Sequence, residues 1–131
     1  QTPRVLLTTL PREPHALGLL MAESLLAADG CATVSLGVQT PIEEIVAAVA
    51  DYDCDVLALS FSPCMTNQQV SEGLKDLRAA LPAEVAIWAG GSCPGLTRGV
   101  AEGVNVFGGL DGISPAVAAW RATHAAADLT G

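Results

Sequence analysis

Apolar runs alternate with helix-like periodic segments from one end of the chain to the other. The apolar runs are short and rich in valine, leucine and alanine, which predicts buried strands over 4–10, 32–38, 55–62, 84–91 and 104–109. The intervening segments predict helices over 16–30, 40–53, 67–82 and 95–103, and a last helix from Ser114. The chain is therefore expected to consist of five strand–helix units.

Two of the predicted helices carry specific local signals. Spacing in the first helix places four apolar residues on one face, namely Leu17, Leu20, Met21 and Leu25. In the second helix, Thr40 is the predicted N-cap and Pro41 the first helical residue, and two glutamates follow near the positive end of the helix dipole.

This alternation favours an α/β fold with a doubly wound parallel sheet and helices on both faces, because right-handed crossovers leave few other topologies. The flavodoxin-like strand order 2-1-3-4-5 is the first choice. A chain of 131 residues is the length of one domain, so residues 1–131 are expected to form one domain. Ligands bind such sheets beyond the carboxyl ends of the strands, where strand 1 lies beside strand 3.

The loops after strands 1, 3 and 4 are therefore expected to converge. The first contains Glu13 and His15, and a neutral imidazole there fits a metal ligand whose second nitrogen is held by the glutamate. The alternative is a surface histidine that caps the next helix and a glutamate that is an ordinary first-turn charge.

The other two loops offer hydroxyls and glycines. Ser60 and Ser62 after strand 3 can donate to a buried ligand nitrogen or cap the next helix. Gly90 and Gly91 at the end of strand 4 lack Cβ atoms, which allows a flat ligand to lie against the backbone or simply allows a tight turn.

The remaining candidates for chemistry have weaker support. Cys64 and Cys93 could join His15 in a zinc or haem site, or act as nucleophiles, but no spacing requires either. His124, in an alanine-rich helix, is expected to be solvated. Cys31 and Cys54 fall at the opposite edge of the sheet, where packing is the expected role. The run "GGSCPG" has neither dinucleotide-binding nor phosphate-loop spacing.

Charge and composition limit the partners that the chain is expected to bind and the compartment in which it is expected to act. Fourteen acidic and six basic residues give a net charge of −8, so the domain is not expected to bind nucleic acid itself. No apolar run reaches the roughly 20 residues that a membrane span needs. Four cysteines without a CxxC pair indicate a reducing compartment, and we expect the cytoplasm. Because a strand follows almost directly on Gln1, where a methionine is expected, we expect the chain to be a fragment of a larger protein or a processed product.

Taken together, the three loops resemble those of the cobalamin-binding domain of methionine synthases, mutases and corrinoid proteins. That family has an acidic residue, one spacer, a histidine, two spacers and a glycine after strand 1, which here are Glu13, His15 and Gly18. A serine motif after strand 3 matches Ser60, and a glycine pair after strand 4 matches Gly90 and Gly91. The family's SxL motif reads Ser60-Phe61-Ser62 here, and its usual aspartate is Glu13.

The resemblance implies a role for each of these residues. His15 would be the lower ligand of the cobalt of adenosylcobalamin or methylcobalamin, and Glu13 would hydrogen-bond its other nitrogen. The nucleotide tail would enter a slot beside the first helix, admitted by Gly18. The remaining cofactor-binding positions would be Ser60, Ser62, Gly90 and Gly91.

The segments "LLTTLPREPHALGLL" and "IWAGGSCPG" are most similar in sequence to the C-terminal sensor domains of MerR-type bacterial transcriptional regulators, including light-responsive repressors of the CarH type. This similarity implies a non-enzymatic sensor that binds DNA only through a separate N-terminal domain and can form homo-oligomers. Two alternatives remain at this point. One is a corrinoid carrier module of a methyltransferase or mutase, and the other is a flavodoxin-like regulatory domain that no longer binds cobalamin.

Overall fold

The structure, a computed structural model, describes residues 2–97 and 102–130. Its strands are β1 (Arg4–Thr8), β2 (Ala32–Gly37), β3 (Val56–Phe61), β4 (Ala86–Gly91) and β5 (Val104–Phe107). Its helices are α1 (Leu17–Ala28), α2 (Ile42–Asp51), α3 (Asn67–Ala80) and α4 (Ile113–Thr130), with short 3₁₀ turns at Pro94–Thr97 and Leu110–Gly112. All strand pairs are parallel, and their order is β2-β1-β3-β4-β5. The predicted flavodoxin-like architecture is confirmed.

Both faces of the sheet are apolar, because neighbouring side chains of a strand point to opposite faces. In β1, Leu6 belongs to one core cluster while Val5 and Leu7 belong to the other. The first cluster includes residues of α2 and α3, and the second includes residues of α1 and α4. The sheet is therefore covered on both sides, as a parallel sheet requires.

Helix α1 packs through a different face from the one that its spacing predicted. Leu19 and Leu26 are buried, whereas Leu17 is 70 % exposed and Leu20 is 55 % exposed. The helix is apolar on nearly all sides, so apolar spacing alone could not select the buried face. Close approach selects it instead: a Cβ atom on Gly18 would lie 2.8 Å from the Ser60 hydroxyl, which turns this side of α1 toward β3.

The predicted cap of α2 is wrong by one residue. The N-cap is Pro41, and no side chain caps the helix. The Thr40 hydroxyl instead lies 2.6 Å from the Thr8 hydroxyl, which in turn donates to the Gly37 carbonyl. Thr40 therefore ties α2 to the end of β1 rather than capping its own helix. In contrast, Thr66 and Gln69 form a reciprocal capping box at the start of α3.

Two other predicted helices agree with the structure only in part. The expected helix over 95–103 is a 3₁₀ turn at Pro94–Thr97, and residues 98–101 of this prediction lie outside the described part of the chain. The last helix begins at Ile113, one residue before the predicted start. Within residues 2–97 and 102–130, no helix has the length and apolar character needed to cross a bilayer.

Candidate functional site

The loops after β1, β3 and β4 meet at the carboxyl edge of the sheet, as predicted. The switch in strand order falls between β1 and β3, because β1 lies between β2 and β3. Ser60 and Phe61 of β3 pair with Gly90 and Gly91 of β4, so the serine motif and the glycine pair are side by side.

The loop after β1 is shaped by a tight turn and by a buried threonine. The Glu13 amide donates to the Leu10 carbonyl, and Arg12 adopts a left-handed backbone with φ of 78°. The Thr9 hydroxyl donates to the Glu13 carbonyl and accepts from the Gln39 amide. These bonds fix the backbone that carries Glu13, and Thr9 was missed by the sequence-based site prediction.

Glu13 is the central polar group of the site. Its side chain is only 1 % exposed, yet every carboxylate oxygen has donors. The Ser62 backbone amide donates to Oε1, the Ser62 hydroxyl donates to Oε2 at 2.9 Å, and the His15 backbone amide donates to Oε2 at 3.2 Å. The His15 ring nitrogen Nδ1 lies 3.0 Å from Oε2.

These donors determine the charge of Glu13. Burial alone raises the pKa of a carboxyl group, but the hydrogen bonds from Ser62 and His15 outweigh burial and hold the pKa of Glu13 below its ordinary value. Glu13 is therefore an anion at neutral pH. Because a carboxylate can only accept, the proton of a neutral His15 lies on Nδ1.

His15 is positioned for an external ligand. Its side chain is 64 % exposed, and the Glu13 bond orients the ring. A proton on Nδ1 leaves the lone pair on Nε2, which is the nitrogen that an added metal can bind. The predicted pairing of Glu13 with His15 is thus present as geometry.

Ser62 and Cys64 complete this polar cluster. The Ser62 hydroxyl lies 3.1 Å from His15 Nδ1, and the exposed Cys64 thiol lies 3.4 Å from Glu13 Oε2 and 3.8 Å from His15 Nδ1. Cys93 is not part of the cluster: it is buried and its thiol donates to the Met65 carbonyl at 3.3 Å. A zinc or haem site that uses Cys93 together with His15 is therefore wrong.

The other cysteines and the second histidine lie away from the site. Cys31 and Cys54 are buried, and burial raises the pKa of both thiols, which fits the predicted packing role. His124 is exposed on α4, where its ring stacks on Trp120 with 3.6 Å between ring centres. Its solvated position agrees with the sequence-based expectation.

A cavity of about 320 Å³ opens beside this cluster, between α1 and the carboxyl ends of β3, β4 and β5. This volume is in the lower part of the range of roughly 300–1,000 Å³ that is typical of small-molecule sites. Its wall is mostly apolar and includes Gly18, Leu19, Ala22, Ser60, Trp88, Gly90, Gly91, Phe107 and Leu110. Four of the seven predicted cofactor-binding residues therefore line this cavity, whereas Glu13, His15 and Ser62 belong to the polar cluster beside it.

The two glycines of β4 serve this cavity in different ways. A Cβ atom on Gly91 would lie 1.9 Å from the Phe61 carbonyl oxygen, and the residue has φ of +125°, so glycine is required by the backbone. A Cβ atom on Gly90 would meet only Phe107, at an ordinary 3.8 Å. The absence of a side chain at Gly90 is therefore not needed for folding and leaves space in the cavity.

Trp88 and Phe107 are wall residues that the sequence-based prediction missed. They pack edge to face with ring centroids 5.6 Å apart and close the side of the cavity toward β5. The predicted site was limited to the loops after strands 1, 3 and 4, and neither aromatic residue lies in these loops. The position of Phe107 at the carboxyl end of β5, followed by two glycines, is a signal that would have extended the site to this strand.

Comparisons with known proteins agree with this geometry. The chain is 32 % identical over 105 residues to the HTH-type transcriptional repressor CarH of Myxococcus xanthus, which covers 79 % of this chain and 35 % of that protein. It is 33 % identical over 90 residues to the glutamate mutase sigma subunit of Halobacterium salinarum, which covers 69 % of this chain and 60 % of that protein. The chain thus spans about a third of the length of the CarH repressor and three-fifths of the length of the glutamate mutase subunit.

Solved structures share the fold at lower identity. A cobalamin-binding protein from Desulfitobacterium hafniense DCB-2 matches with a TM-score of 0.71 at 21 % identity, over 88 % of this chain and 57 % of that one. The monomethylamine corrinoid protein of Methanosarcina barkeri matches with a TM-score of 0.66 at 18 % identity, over the same shares. The family model described as the B12 binding domain matches residues 3–114, and the chain therefore belongs to the B12-binding domain family, whose cofactor is cobalamin.

Proposed function

We propose that this chain is the cobalamin-binding sensor domain of a bacterial MerR-type transcriptional regulator, in which His15 is the lower axial ligand of cobalt. The observation that carries the proposal is the pairing of His15 with the buried Glu13 carboxylate at 3.0 Å, beside a glycine-lined apolar cavity. A hydrogen-bonded carboxylate fixes the tautomer of a ligating histidine and raises its basicity.

The donor set fits cobalamin. The lone pair of His15 Nε2 would bind cobalt, while Glu13 holds the Nδ1 proton and stays charged because Ser62 donates to both of its oxygens. When bound, the cofactor supplies a cobalt–carbon bond that light or a reaction partner can break. The protein would contribute the ligand, its orientation and a mostly apolar cavity.

The cavity fits the flat, largely apolar base of the cofactor's nucleotide tail. Gly18 and Gly90 add no side chains to its walls. Ser60 and Ser92 both line it, and the Ser60 hydroxyl would bond a ring nitrogen. Ser62, the position at which this chain departs from the SxL motif, lies outside the cavity and binds Glu13. This departure therefore supports His15 without making the cavity more polar.

The regulator function is supported by the relationship to the CarH repressor together with the net charge of −8. An acidic domain repels DNA phosphates, so DNA contacts would belong to a separate N-terminal domain. In this proposal residues 1–131 are one non-catalytic domain that acts in the cytoplasm, and cofactor binding changes how copies of the regulator associate.

A second candidate is a corrinoid carrier module, which the comparable identity to the glutamate mutase sigma subunit favours. The same His15 would then adjust cobalt reactivity for an enzyme. The protein-coding sequence upstream of Gln1 distinguishes the two candidates: a helix-turn-helix domain supports the regulator, and a catalytic domain supports the carrier.

Equilibrium binding of cobalamin in the dark tests the proposal. We expect the absorbance spectrum of adenosylcobalamin or methylcobalamin to change on binding to the wild-type chain, because the lower ligand of cobalt is exchanged for His15. His124→Ala, which changes the exposed histidine of α4, is the matched control and should bind like the wild type.

His15→Ala should lose the spectral change and weaken binding. Identical spectra from His15→Ala and the wild type would exclude His15 as the ligand. Absence of any binding by the full-length protein at high micromolar cobalamin would instead favour the alternative of a regulatory domain that has lost the cofactor.

A further inference from the structure

Four potential ligand atoms around Glu13 surround a common centre. They are Glu13 Oε2, His15 Nδ1, Cys64 Sγ and Ser62 Oγ, and the distances between them run from 2.9 to 3.8 Å. Every atom is near each of the other three, so the four form a compact tetrahedron. We propose that in the cobalamin-free protein this cluster binds a divalent zinc ion, through Glu13, His15 and Cys64, with Ser62 or water in the fourth position.

The size of the tetrahedron matches zinc. The centre of a regular tetrahedron with the mean of these edges lies about 2.0 Å from each corner, and zinc binds carboxylate oxygen and imidazole nitrogen at about 2.0–2.2 Å and thiolate sulfur at about 2.3 Å. The edges joining the three principal ligands measure 3.0, 3.4 and 3.8 Å. Only a small outward movement of these side chains is needed to reach the bond lengths of zinc.

The chemistry of the ligands also favours zinc over hard cations. A thiolate and an imidazole suit zinc, whereas magnesium and calcium require a shell of oxygen ligands. Glu13 is already ordered: its Oε1 accepts from the Ser62 amide, and its Oε2 already faces the other three potential ligand atoms. A preformed carboxylate that is 1 % exposed differs from the mobile surface acids that often cluster without binding an ion.

Charge and protons balance on binding. The Cys64 thiol loses one proton to solvent, and the resulting thiolate together with the Glu13 carboxylate neutralises the two positive charges of zinc. His15 remains neutral, but its proton moves from Nδ1 to Nε2 because Nδ1 must give its lone pair to the metal. No oxidant or further reactant is required.

This tautomer has a consequence for the cofactor, which rests on the function proposed above. With zinc on Nδ1, the proton on Nε2 occupies the lone pair that would bind cobalt. Zinc and histidine-ligated cobalamin should therefore exclude one another, and by linkage each should weaken the other by the same factor.

Calorimetric titration of the reduced, chelator-treated chain with zinc chloride tests the site directly. We expect one zinc per chain for the wild type and for His124→Ala, and an affinity lower by at least about tenfold, or 1.4 kcal/mol, for Cys64→Ser and Cys64→Ala. Circular dichroism of both Cys64 variants verifies that they fold. Wild-type affinity in the two folded Cys64 variants, or no zinc binding by the wild type, would overturn the zinc site.

Thiol protection gives a second readout. Cys64 is exposed and the other three cysteines are buried, so iodoacetamide should modify Cys64 first. Zinc chloride should slow this modification, whereas magnesium chloride at the same concentration should not. Equal protection by the two salts would contradict coordination by the thiolate.

Competition tests the link to cobalamin separately. For exclusive binding, zinc at ten times its wild-type dissociation constant should raise the apparent Kd of cobalamin about elevenfold in the wild type. In Cys64→Ser, which binds zinc at least about tenfold more weakly, the same zinc concentration should raise it by no more than about twofold. Zinc binding without this shift would overturn the exclusion but leave the zinc site standing. If the zinc-free wild type binds no cobalamin, the proposed function fails while the calorimetric result still decides the zinc site.

Discussion

At the scale of single residues, Glu13 connects the backbone of the loop after β3 to the ring of His15. Its two oxygens use different partners, because Oε1 accepts from the Ser62 amide and Oε2 faces the Ser62 hydroxyl and the imidazole. A buried charge is stable only when such bonds replace water. Glu13 is therefore both a structural tie between two loops and the group that sets the histidine tautomer.

The lowered pKa of Glu13 predicts how stability depends on pH. A carboxyl group with a folded pKa below its ordinary value of 4.5 stabilises the fold above that pH, and this contribution is lost as the pH falls through the folded pKa. Glu13→Gln should therefore reduce the free energy of unfolding by about 1.5–3 kcal/mol at pH 7. Urea unfolding should show this difference shrinking as the pH falls below the ordinary value of 4.5.

Glu84→Gln, which neutralises an exposed glutamate between α3 and β4, is the matched control and should follow the wild type over the same pH range. A gap between Glu13→Gln and the wild type that stays constant over this range would show that the Glu13 charge does not stabilise the folded chain.

Alanine substitutions at the two glycines of β4 should differ in their effect on stability. Gly91→Ala forces a Cβ atom against the Phe61 carbonyl at a positive φ, so it should lower the free energy of unfolding by about 2–4 kcal/mol. Gly90→Ala meets only an ordinary contact and should change stability by less than about 1 kcal/mol. Chemical denaturation of the two variants under the same conditions measures both.

A larger side chain at Gly90 tests whether this part of the cavity holds the cofactor. Gly90→Leu places a larger side chain in the cavity, so we expect weaker cobalamin binding from a folded protein. Unchanged cobalamin affinity in folded Gly90→Leu would show that this part of the cavity does not hold the cofactor.

At the scale of elements, α1 shows where sequence patterns stop being informative. Apolar residues occur around most of this helix, so the predicted face and the buried face differ. The deciding feature is contact with β3 at Gly18, which lies more than 40 residues from its neighbour Ser60 in the chain. Such a long-range contact has no signature in the local spacing of apolar residues.

The buried face of α1 can be verified by two substitutions of the same type. Leu26→Ala removes a side chain that is 1 % exposed and should cost about 2–5 kcal/mol of unfolding free energy. Leu20→Ala removes one that is 55 % exposed and should cost less than about 1 kcal/mol. Comparable losses in both variants would mean that the outer face of α1 is covered in solution.

Strand and loop positions were more predictable than this helix face. Five apolar runs separated by turns and helical segments suffice to give the parallel sheet, because crossover handedness restricts the topology. The order of the strands then brings Glu13, Ser60 and Gly90 to one edge. The tetrahedral arrangement of the Glu13 cluster could not be predicted, because it depends on side-chain directions across two loops.

At the scale of the whole molecule, the two faces of the sheet differ. The face covered by α2 and α3 holds the larger apolar cluster, whereas the face covered by α1 and α4 contains the cavity. The cavity opens at the same edge as His15, so one side of the fold supplies stability and the other accommodates a ligand. The net charge of −8 repels DNA phosphates, which agrees with the proposal that this domain does not itself contact DNA.

Coordination of cobalt by His15 is the central claim, and electron paramagnetic resonance of bound cob(II)alamin tests it most directly. The unpaired electron couples to the nucleus of the axial nitrogen, so the line pattern reports which nitrogen is bound. In protein made with ¹⁵N-labelled histidine, we predict that the ¹⁴N triplets become ¹⁵N doublets, and that His124→Ala behaves in the same way. Triplets that persist in the labelled wild type would show that cobalt keeps the cofactor's own base and would contradict the account.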